Sequence, residues 1–242
     1  MKKTLLLTSL LLALTVSVAL AGGLNVAWGS LCYTENPVAA TTFLCNTNGA
    51  TGNRTITTSF MLDVPMADLV GVEWLIDGQS DAAVLPEWWK LGVAPDCRAN
   101  KALFKSAYVA VATETCVDWT DGQGFNAPNY VWAGKATTLT LGVAIDASTP
   151  FDALAGQEYY GGGVDILNSK TVGTGACAGC SIGMIFGLHM FTAAGLDGRR
   201  DSFIHPLPGG NNCLSWNNTI TPCEPFTPAR NTTWGQVKSL YR

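Results

Sequence analysis

Charged residues are scarce in this chain, and basic residues are scarcer than acidic ones. Only 13% of the 242 residues are charged, with 14 lysines and arginines against 18 aspartates and glutamates. Proteins that bind nucleic acid present a basic face to the phosphates. Here the cationic residues cluster only at Arg199-Arg200 and near the end of the sequence, so we expect no nucleic-acid partner.

Side chains that carry catalytic chemistry are also few. The chain has two histidines, His189 and His205, and a surface or hydrogen-bonded role accounts for each of them. The G-x-S-x-G elbow of a serine hydrolase is absent. We predict no catalytic residues and no cofactor, and we keep a hydrolase only as a distant third hypothesis.

Clustered carboxylates are the remaining candidates for catalysis or metal binding. Glycosidases hold two carboxylates a few ångström apart, and a calcium site needs several oxygens together. Asp118 and Asp121 share a Gly-containing segment but lack the spacing of an EF-hand, so we predict no metal. A solvated sheet face and a turn account for the acidic residues near Trp74, which are Glu73, Asp77, Asp81 and Glu87.

No helical pattern of ten to fifteen residues alternates with the apolar segments, which argues against a parallel α/β sheet. Alternation with a period of two, typical of half-buried strands, recurs instead. It is strong in 54–63, 69–77, 137–146, 157–168 and 181–191 and weaker in 24–28, 42–46, 106–112 and 202–205. We predict an all-β fold, an antiparallel β-sandwich of jelly-roll or immunoglobulin-like topology, as one domain over residues 22–242.

Two long segments lack the alternation that is typical of strands, and the last residues of the sequence fit the start of a short helix. Residues 77–100 contain Pro86-Glu-Trp-Trp89, which we expect to form a short helix or 3-10 turn, and residues 116–134 are predicted as an aromatic-rich loop.

Residues 233–236 fit a helical capping box. We therefore predict a short helix or arm over 230–242, either docked on the sandwich or serving as a sorting or partner-docking tag.

The first residues have the layout of a secretory signal peptide. Lys2 and Lys3 precede an apolar run of sixteen residues, and Ala19-Leu20-Ala21 offers a cleavage site. A membrane-spanning helix needs about twenty apolar residues, so we predict cleavage after Ala21 and a bacterial protein exported to the periplasm or the medium. Loss of the two lysines leaves the mature chain with a net charge of −6.

Export would place the eight cysteines in an oxidising compartment, where disulfides persist. Spacing favours pairs between sequence neighbours, although eight cysteines allow 105 pairings. The Cys177-Ala-Gly-Cys180 segment fits a structural disulfide, a redox motif or half of a zinc site, and the first of these is favoured. The predicted pairs are Cys32–Cys45, Cys97–Cys116, Cys177–Cys180 and Cys213–Cys223.

Four segments resemble motifs of predicted exported proteins from environmental bacteria. They are Leu85-Pro-Glu-Trp-Trp89, Tyr159-Tyr160, Asn168-Ser-Lys-Thr-Val-Gly-Thr-Gly-Ala-Cys-Ala-Gly-Cys180 and Asn231-Thr-Thr-Trp-Gly-Gln-Val-Lys-Ser-Leu-Tyr-Arg242. The resemblance would cover most of the mature chain. It implies a single exported domain and brings no activity with it.

Aromatic residues are concentrated in the two long segments, next to amide and carboxylate side chains. Aromatic rings in loops could stack on sugars while their polar neighbours bond to hydroxyls; the alternative is that they cover the end of the core. We predict a binding surface made of Trp88, Trp89, Trp119, Asp121, Gln123, Phe125, Asn126, Asn129, Tyr130 and Trp132.

Two functions of different classes remain open on this basis. The first is a non-catalytic exported β-sandwich that binds an extracellular ligand, with a glycan as the leading class. The second is a structural or assembly subunit of the cell envelope or an extracellular layer, which would expose an apolar patch or an unpaired strand edge toward an envelope protein.

Overall fold

The computed structural model describes residues 22–29, 32, 34, 38–106, 116–203, 206–207 and 210–217, and they form two β-sheets packed face to face. The antiparallel β-sandwich predicted from the alternation is therefore confirmed. The predicted signal peptide 1–21, the predicted arm 230–242, His205 and Cys223 lie outside the described residues. None of the helices in the described part of the chain has the length and apolar content needed to cross a bilayer.

The smaller sheet has four antiparallel strands in the order β1-β3-β9-β5. Its inner face carries the apolar residues that the alternation predicted, such as Ile56 and Phe60, which are fully buried. The strands are β1 (Gly23–Trp28), β3 (Arg54–Met61), β9 (Glu158–Ile166) and β5 (Ala102–Lys105).

The larger sheet has six strands along its main path, in the order β2-β12-β10-β4-β7-β6, while β11 pairs with β10 and β8 pairs with β4. All its pairs are antiparallel except β12–β2. The strands are β2 (Ala40–Thr41), β4 (Met66–Ser80), β6 (Phe125–Ala133), β7 (Ala136–Ala144), β8 (Phe151–Ala153), β10 (Met184–Gly195), β11 (Arg200–Phe203) and β12 (Cys213–Trp216).

The core lies between the two sheets and is rich in aromatic rings. Phe60 of the smaller sheet packs on Phe191 of the larger one, with 4.5 Å between ring centroids. The indole N–H of Trp74 in β4 donates to the carbonyl of Gly161 in β9 at 3.1 Å. At Gly162 a Cβ would lie 2.8 Å from a methyl group of Leu141, so the sheets approach each other too closely there for a larger residue.

Five strong strand predictions are confirmed, by β3, β4, β7, β9 and β10, and the weak prediction over 24–28 is confirmed by β1. Other predictions were wrong or only partly right. Residues 42–46 are not a strand, and the segment 116–134, predicted as a loop, contains the nine-residue strand β6. The prediction over 202–205 overlaps β11, while that over 106–112 falls mostly outside the described residues.

The disulfides join residues that are distant in sequence, so three predicted pairs of neighbours are wrong. The bonds are Cys32–Cys116, Cys45–Cys180 and Cys97–Cys177. Cys177 and Cys180 each bond to a different segment, which overturns the local Cys177–Cys180 loop and also removes the redox and zinc alternatives for this motif. Cys213 is disulfide-bonded too, and its predicted partner Cys223 lies outside the described residues.

Candidate functional site

The structure buries three of the four tryptophans that the sequence had assigned to a binding surface, and the assignment is wrong for these three. Trp88 and Trp89 have no exposed surface, and Trp119 keeps only 2% of its surface exposed. Trp88 lies 4.8 Å from Trp89 and stacks on Trp216 with 5.9 Å between centroids. These rings belong to the core and are closed to a ligand arriving from solvent.

A single turn of 3-10 helix, Glu87–Trp89, places Trp88 and Trp89 in the core, which confirms the prediction for this segment. Pro86 precedes it in an extended conformation. The backbone N–H of Trp88 donates to the carbonyl of Ala178 at 2.9 Å, and its indole N–H donates to the hydroxyl of Thr171 at 2.9 Å. The segment around the Cys177-x-x-Cys180 motif thus covers the tryptophan pair.

Arg98 completes this buried cluster. Its guanidinium lies 3.6 Å from the ring centroid of Trp88, donates to the carbonyl of Trp88 at 2.8 Å and also donates to the carbonyl of Leu167. Burial lowers the pKa of Arg98 to about 9, so the side chain remains protonated at neutral pH. Among the described residues no carboxylate pairs with it, and carbonyl oxygens and an aromatic face stabilise the charge.

Asp118 acts as a turn-forming residue. One carboxylate oxygen accepts from the N–H and the hydroxyl of Thr120 at 3.0 and 2.6 Å, and the other accepts from the N–H of Gly122 at 3.2 Å. Asp121 and Gln123 are exposed in or beside this turn. In the part of the chain that the structure describes, no group of three or more His, Cys, Asp or Glu side chains is placed to hold a metal ion.

The remaining predicted site residues lie on β6, the edge strand of the larger sheet. Tyr130 and Trp132 are on the strand face that turns toward the 3-10 helix segment, because the Tyr130 hydroxyl donates to the carbonyl of Trp89 and the Trp132 indole N–H donates to Asp96 at 3.1 Å. Phe125 and Asn129 are on the opposite face, which is the outer face of the sheet. Phe125 is 67% exposed.

The outer face of the larger sheet contains a cross-strand row with small residues at its centre. The register places Arg200 of β11 beside Ala194 of β10, Ala194 beside Gly71 of β4, Gly71 beside Ala144 of β7, and Ala144 beside Phe125 of β6. Three side chains no larger than a methyl group therefore lie between an arginine and a phenylalanine. The result is a shallow depression of about 270 Å³ across the strands.

The neighbouring row adds polar groups to this depression. Thr192 of β10 pairs with Glu73 of β4, Glu73 with Gly142 of β7, and Gly142 with Ala127 of β6. Glu73 is exposed, and Asn126 joins the lining at the β6 end. We name this site the outer-face depression: its floor is Gly71, Gly142, Ala144 and Ala194, and its larger lining side chains are Glu73, Phe125, Thr192 and Arg200.

The outer-face depression contains two charged side chains, Glu73 and Arg200. Within the described residues, neither Glu73 nor Arg200 takes part in an ion pair. The strand register separates their Cα atoms by two strands and one row, about 12 Å from strand geometry. Both side chains therefore remain available to a bound molecule, one as an acceptor and the other as a donor.

Asp77 and His189 lie further along the same sheet face and make contacts of their own. A bulge in β10 occurs between Leu188 and Met190, and the Nε2 atom of His189 lies 3.4 Å from a carboxylate oxygen of Asp77. The other oxygen of Asp77 accepts from the Thr138 hydroxyl at 2.6 Å. Glu73 and Asp77 share one sheet face, as the alternation implied.

Of the ten predicted residues, the structure places the Phe125 side chain in the outer-face depression, away from the buried tryptophans. Asn126 borders the depression, but it is on the opposite strand face, where its amide donates to the carbonyl of Phe104 at 3.5 Å. Glu73 and Arg200 were noted in the sequence for other reasons, and their part in a common site was missed. A signal was present in the strand patterns, since Gly142 and Ala144 occupy the solvent side of β7 where larger residues are usual. Assigning the site required the register of five strands, which the sequence does not supply.

No family model matches the chain, and no curated protein matches it. Among solved structures, the chain is similar to a cohesin module from a family 33 glycoside hydrolase of Clostridium perfringens ATCC13124. The likeness has a TM-score of 0.37 and 9% sequence identity, and it covers 80% of this chain and 92% of that chain. A likeness this low carries no conclusion about this chain's function or partners.

Proposed function

We propose that this chain is an exported, non-catalytic bacterial β-sandwich that binds a glycan at the outer-face depression, contacting one or two sugar rings. The row Arg200–Ala194–Gly71–Ala144–Phe125 is the observation that carries the proposal. It combines a shallow apolar floor, one exposed aromatic ring and two charged groups that form no ion pair with another described residue. Binding sites for small ligands are typically apolar surfaces with a few polar groups that fix orientation.

The chemistry of the lining suits a sugar. The exposed ring of Phe125 offers an apolar face to the C–H groups of a pyranose. Glu73 would accept hydrogen bonds from hydroxyls, and Arg200 would donate them. The glycine and alanine floor lets a flat ring approach the backbone of β4 and β7, which larger side chains would prevent.

The proposed location rests on the leader-like pattern of residues 1–21 and on the disulfides. The bonds Cys32–Cys116, Cys45–Cys180 and Cys97–Cys177 are of the kind that persist in oxidising compartments. Kinship with the exported proteins of environmental bacteria, which the motifs of the chain resemble, belongs to the same proposal.

A glycan array probed with the mature protein tests the proposal, followed by titration of the best glycan against variants. We expect Phe125→Ala to weaken binding at least tenfold, which corresponds to about 1.4 kcal/mol, because it removes the stacking ring. Glu73→Gln and Arg200→Gln should each weaken binding, since each removes one charged hydrogen-bond partner.

Val131→Ala is the matched control, because Val131 is 51% exposed on the same face of β6 and lies outside the outer-face depression. It should bind as the wild type does. Circular dichroism would verify that all variants are folded. Absence of any bound glycan, or a Phe125→Ala protein that binds with wild-type affinity, would exclude glycan binding at this site.

A further inference from the structure

Three loops meet at one end of the sandwich, next to the Arg200 side of the outer-face depression. The first, 62–68, is the β3–β4 loop with the first residues of β4. It contacts the second, 152–156, which is the end of β8 with the loop that follows it, through a hydrogen bond from the N–H of Gly156 to the carbonyl of Leu62 at 2.9 Å. It contacts the loop 195–199 through a bond from the N–H of Leu196 to the carbonyl of Asp68 at 3.0 Å. We name these three loops the acidic tip.

Each loop of the acidic tip exposes one large aliphatic side chain. Val64 is 51% exposed, Leu154 is 62% exposed and Leu196 is 48% exposed. Single exposed aliphatic residues are ordinary on protein surfaces, but here one occurs on each of three loops held together by hydrogen bonds. Such a set marks an interaction surface when charged groups surround it.

The charged groups around these side chains are mostly acidic. The three loops contain the aspartates Asp63, Asp68, Asp152 and Asp197 and one basic residue, Arg199, for a net charge of −3. The guanidinium of Arg199 already donates to Asp201 and, at 2.7 Å, to the carbonyl of Pro65. The aspartates would repel an anionic membrane surface, so a cationic polypeptide with apolar side chains is the partner that fits.

The sequence of this chain contains one such polypeptide. Residues 230–242 carry Arg230, Lys238 and Arg242 and no acidic residue, for a net charge of +3, and they interleave these charges with Trp234 and Leu240. We propose that the acidic tip of one molecule binds segment 230–242 of a second copy of this chain. The positive charge and apolar side chains of the segment complement the negative charge and exposed aliphatic side chains of the acidic tip.

The place where the described chain ends favours a second copy over the same molecule. Trp216 of β12 pairs with Met184 at the start of β10, whereas the acidic tip follows Gly195 at the end of β10. Eleven residue steps of a strand separate these two ends by about 36 Å. Twelve residues lie between 217 and 230, and these thirteen residue steps would have to span about 36 Å of the roughly 45 Å that they reach at full extension to bring the segment around to its own tip.

Such a contact joins two different surfaces and repeats from molecule to molecule. A heterologous interface of this kind produces open chains or rings instead of closed symmetric dimers. The assembly would therefore grow head to tail, with the acidic tip at one end of each sandwich and Asn217, where the described residues end, near the other.

Sedimentation velocity of the full mature chain tests this assembly with two complementary variants. The tip variant carries Val64→Ser, Leu154→Ser and Leu196→Ser, and the segment variant carries Trp234→Ala and Leu240→Ser. Wild-type protein should form a series of oligomers that grows with concentration and shortens at high salt. Each variant alone should be monomeric, while an equimolar mixture should form dimers and nothing longer, because it holds one intact tip and one intact segment.

A matched control replaces three exposed aliphatic residues outside the tip, Val84→Ser, Val93→Ser and Leu103→Ser, which are 66%, 76% and 47% exposed. It should assemble as the wild type does. Wild-type protein that stays monomeric, a tip variant that assembles normally, or a mixture of the two variants that stays monomeric would each overturn the proposal. An interface with an unrelated protein would give the first of these results.

Discussion

Arg98 shows at the scale of one residue how this fold tolerates a buried charge. The side chain is fully buried, and its guanidinium contacts the face of Trp88 and the carbonyls of Trp88 and Leu167. A planar guanidinium can bond to two carbonyls and stack on a ring at once, whereas an ammonium group cannot. The charge is therefore accommodated by geometry that is particular to arginine.

We expect Arg98→Lys to be more damaging than Arg98→Met, although the former keeps the charge. Lysine would bury an ammonium group that cannot bond to both carbonyls and stack on Trp88 at once. It should lower the free energy of unfolding by about 3–4 kcal/mol. Methionine removes the charge, fills much of the volume and leaves two carbonyls without a donor, for which we expect a loss of about 2 kcal/mol. Urea denaturation measures both values. A lysine variant that is as stable as the wild type, or more stable than the methionine variant, would contradict this interpretation.

Burial of Trp88, Trp89 and Trp119 is a property of single residues that local sequence did not reveal. Trp88-Trp89 follows Pro86 and Glu87, and Trp119 lies between Asp118 and Thr120, which is the composition of a surface turn. The partners that bury and bond these rings are distant: Thr171 for Trp88 and the carbonyl of Tyr160 for Trp119. Only a three-dimensional arrangement could decide between a sugar-binding platform and a core.

At the scale of elements, the strand β6 explains why sequence patterns identified five of the six strands of eight or more residues and missed the sixth. Strands β3, β4, β7, β9 and β10 bury one face or both, so apolar residues recur at a period of two. Strand β6 is an edge strand, and eight of its nine residues are exposed. With neither face well buried, it shows no alternation that sequence reasoning could detect.

Pro128 lies in the middle of β6, whose outer edge pairs with no other described strand. Strands β6 and β7 are joined by the two-residue turn Gly134-Lys135, with Gly134 at φ 60°. The residues that flank such a turn exchange both backbone bonds, and bonded and non-bonded pairs then alternate along the hairpin. Residue 128 falls at a position whose N–H would point away from β7, so proline costs no ladder bond there and removes a donor from the free edge.

Restoring a backbone N–H donor at residue 128 should allow the β6 edge to pair with a strand of another molecule. We expect Pro128→Thr to raise the apparent association constant at least tenfold, because an uninterrupted nine-residue edge can pair with another copy. Size-exclusion chromatography with light scattering would measure this in a background with the three acidic-tip substitutions. Asn129→Thr is the control, since its N–H bonds to β7, and it should leave association unchanged. Equal behaviour of the two variants would argue against a protective role for Pro128.

At the scale of the whole molecule, the disulfides connect loops and not sequence neighbours. Cys45–Cys180 and Cys97–Cys177 attach two separate segments to the loop that covers Trp88 and Trp89. Sequence spacing suggested local pairs because short loops are easy to close. The fold instead brings residues 45, 97 and 177–180 to the same region, and strand topology decides the pairing.

Removal of Cys97 and Cys177 together distinguishes the two pairings and measures what the bond contributes. In the structure these residues are partners, so Cys97→Ala with Cys177→Ala should leave no free thiol, as measured by alkylation of the unfolded, unreduced protein and mass spectrometry. The predicted local pairs would instead leave two, on Cys116 and Cys180.

The Cys97–Cys177 bond closes a loop with a sequence separation of 80, so chain entropy predicts that its removal lowers the free energy of unfolding by about 4 kcal/mol. Two alkylated thiols, or a stability unchanged from the wild type, would count against this connection, and the covering of the tryptophan core would then have to depend on packing alone.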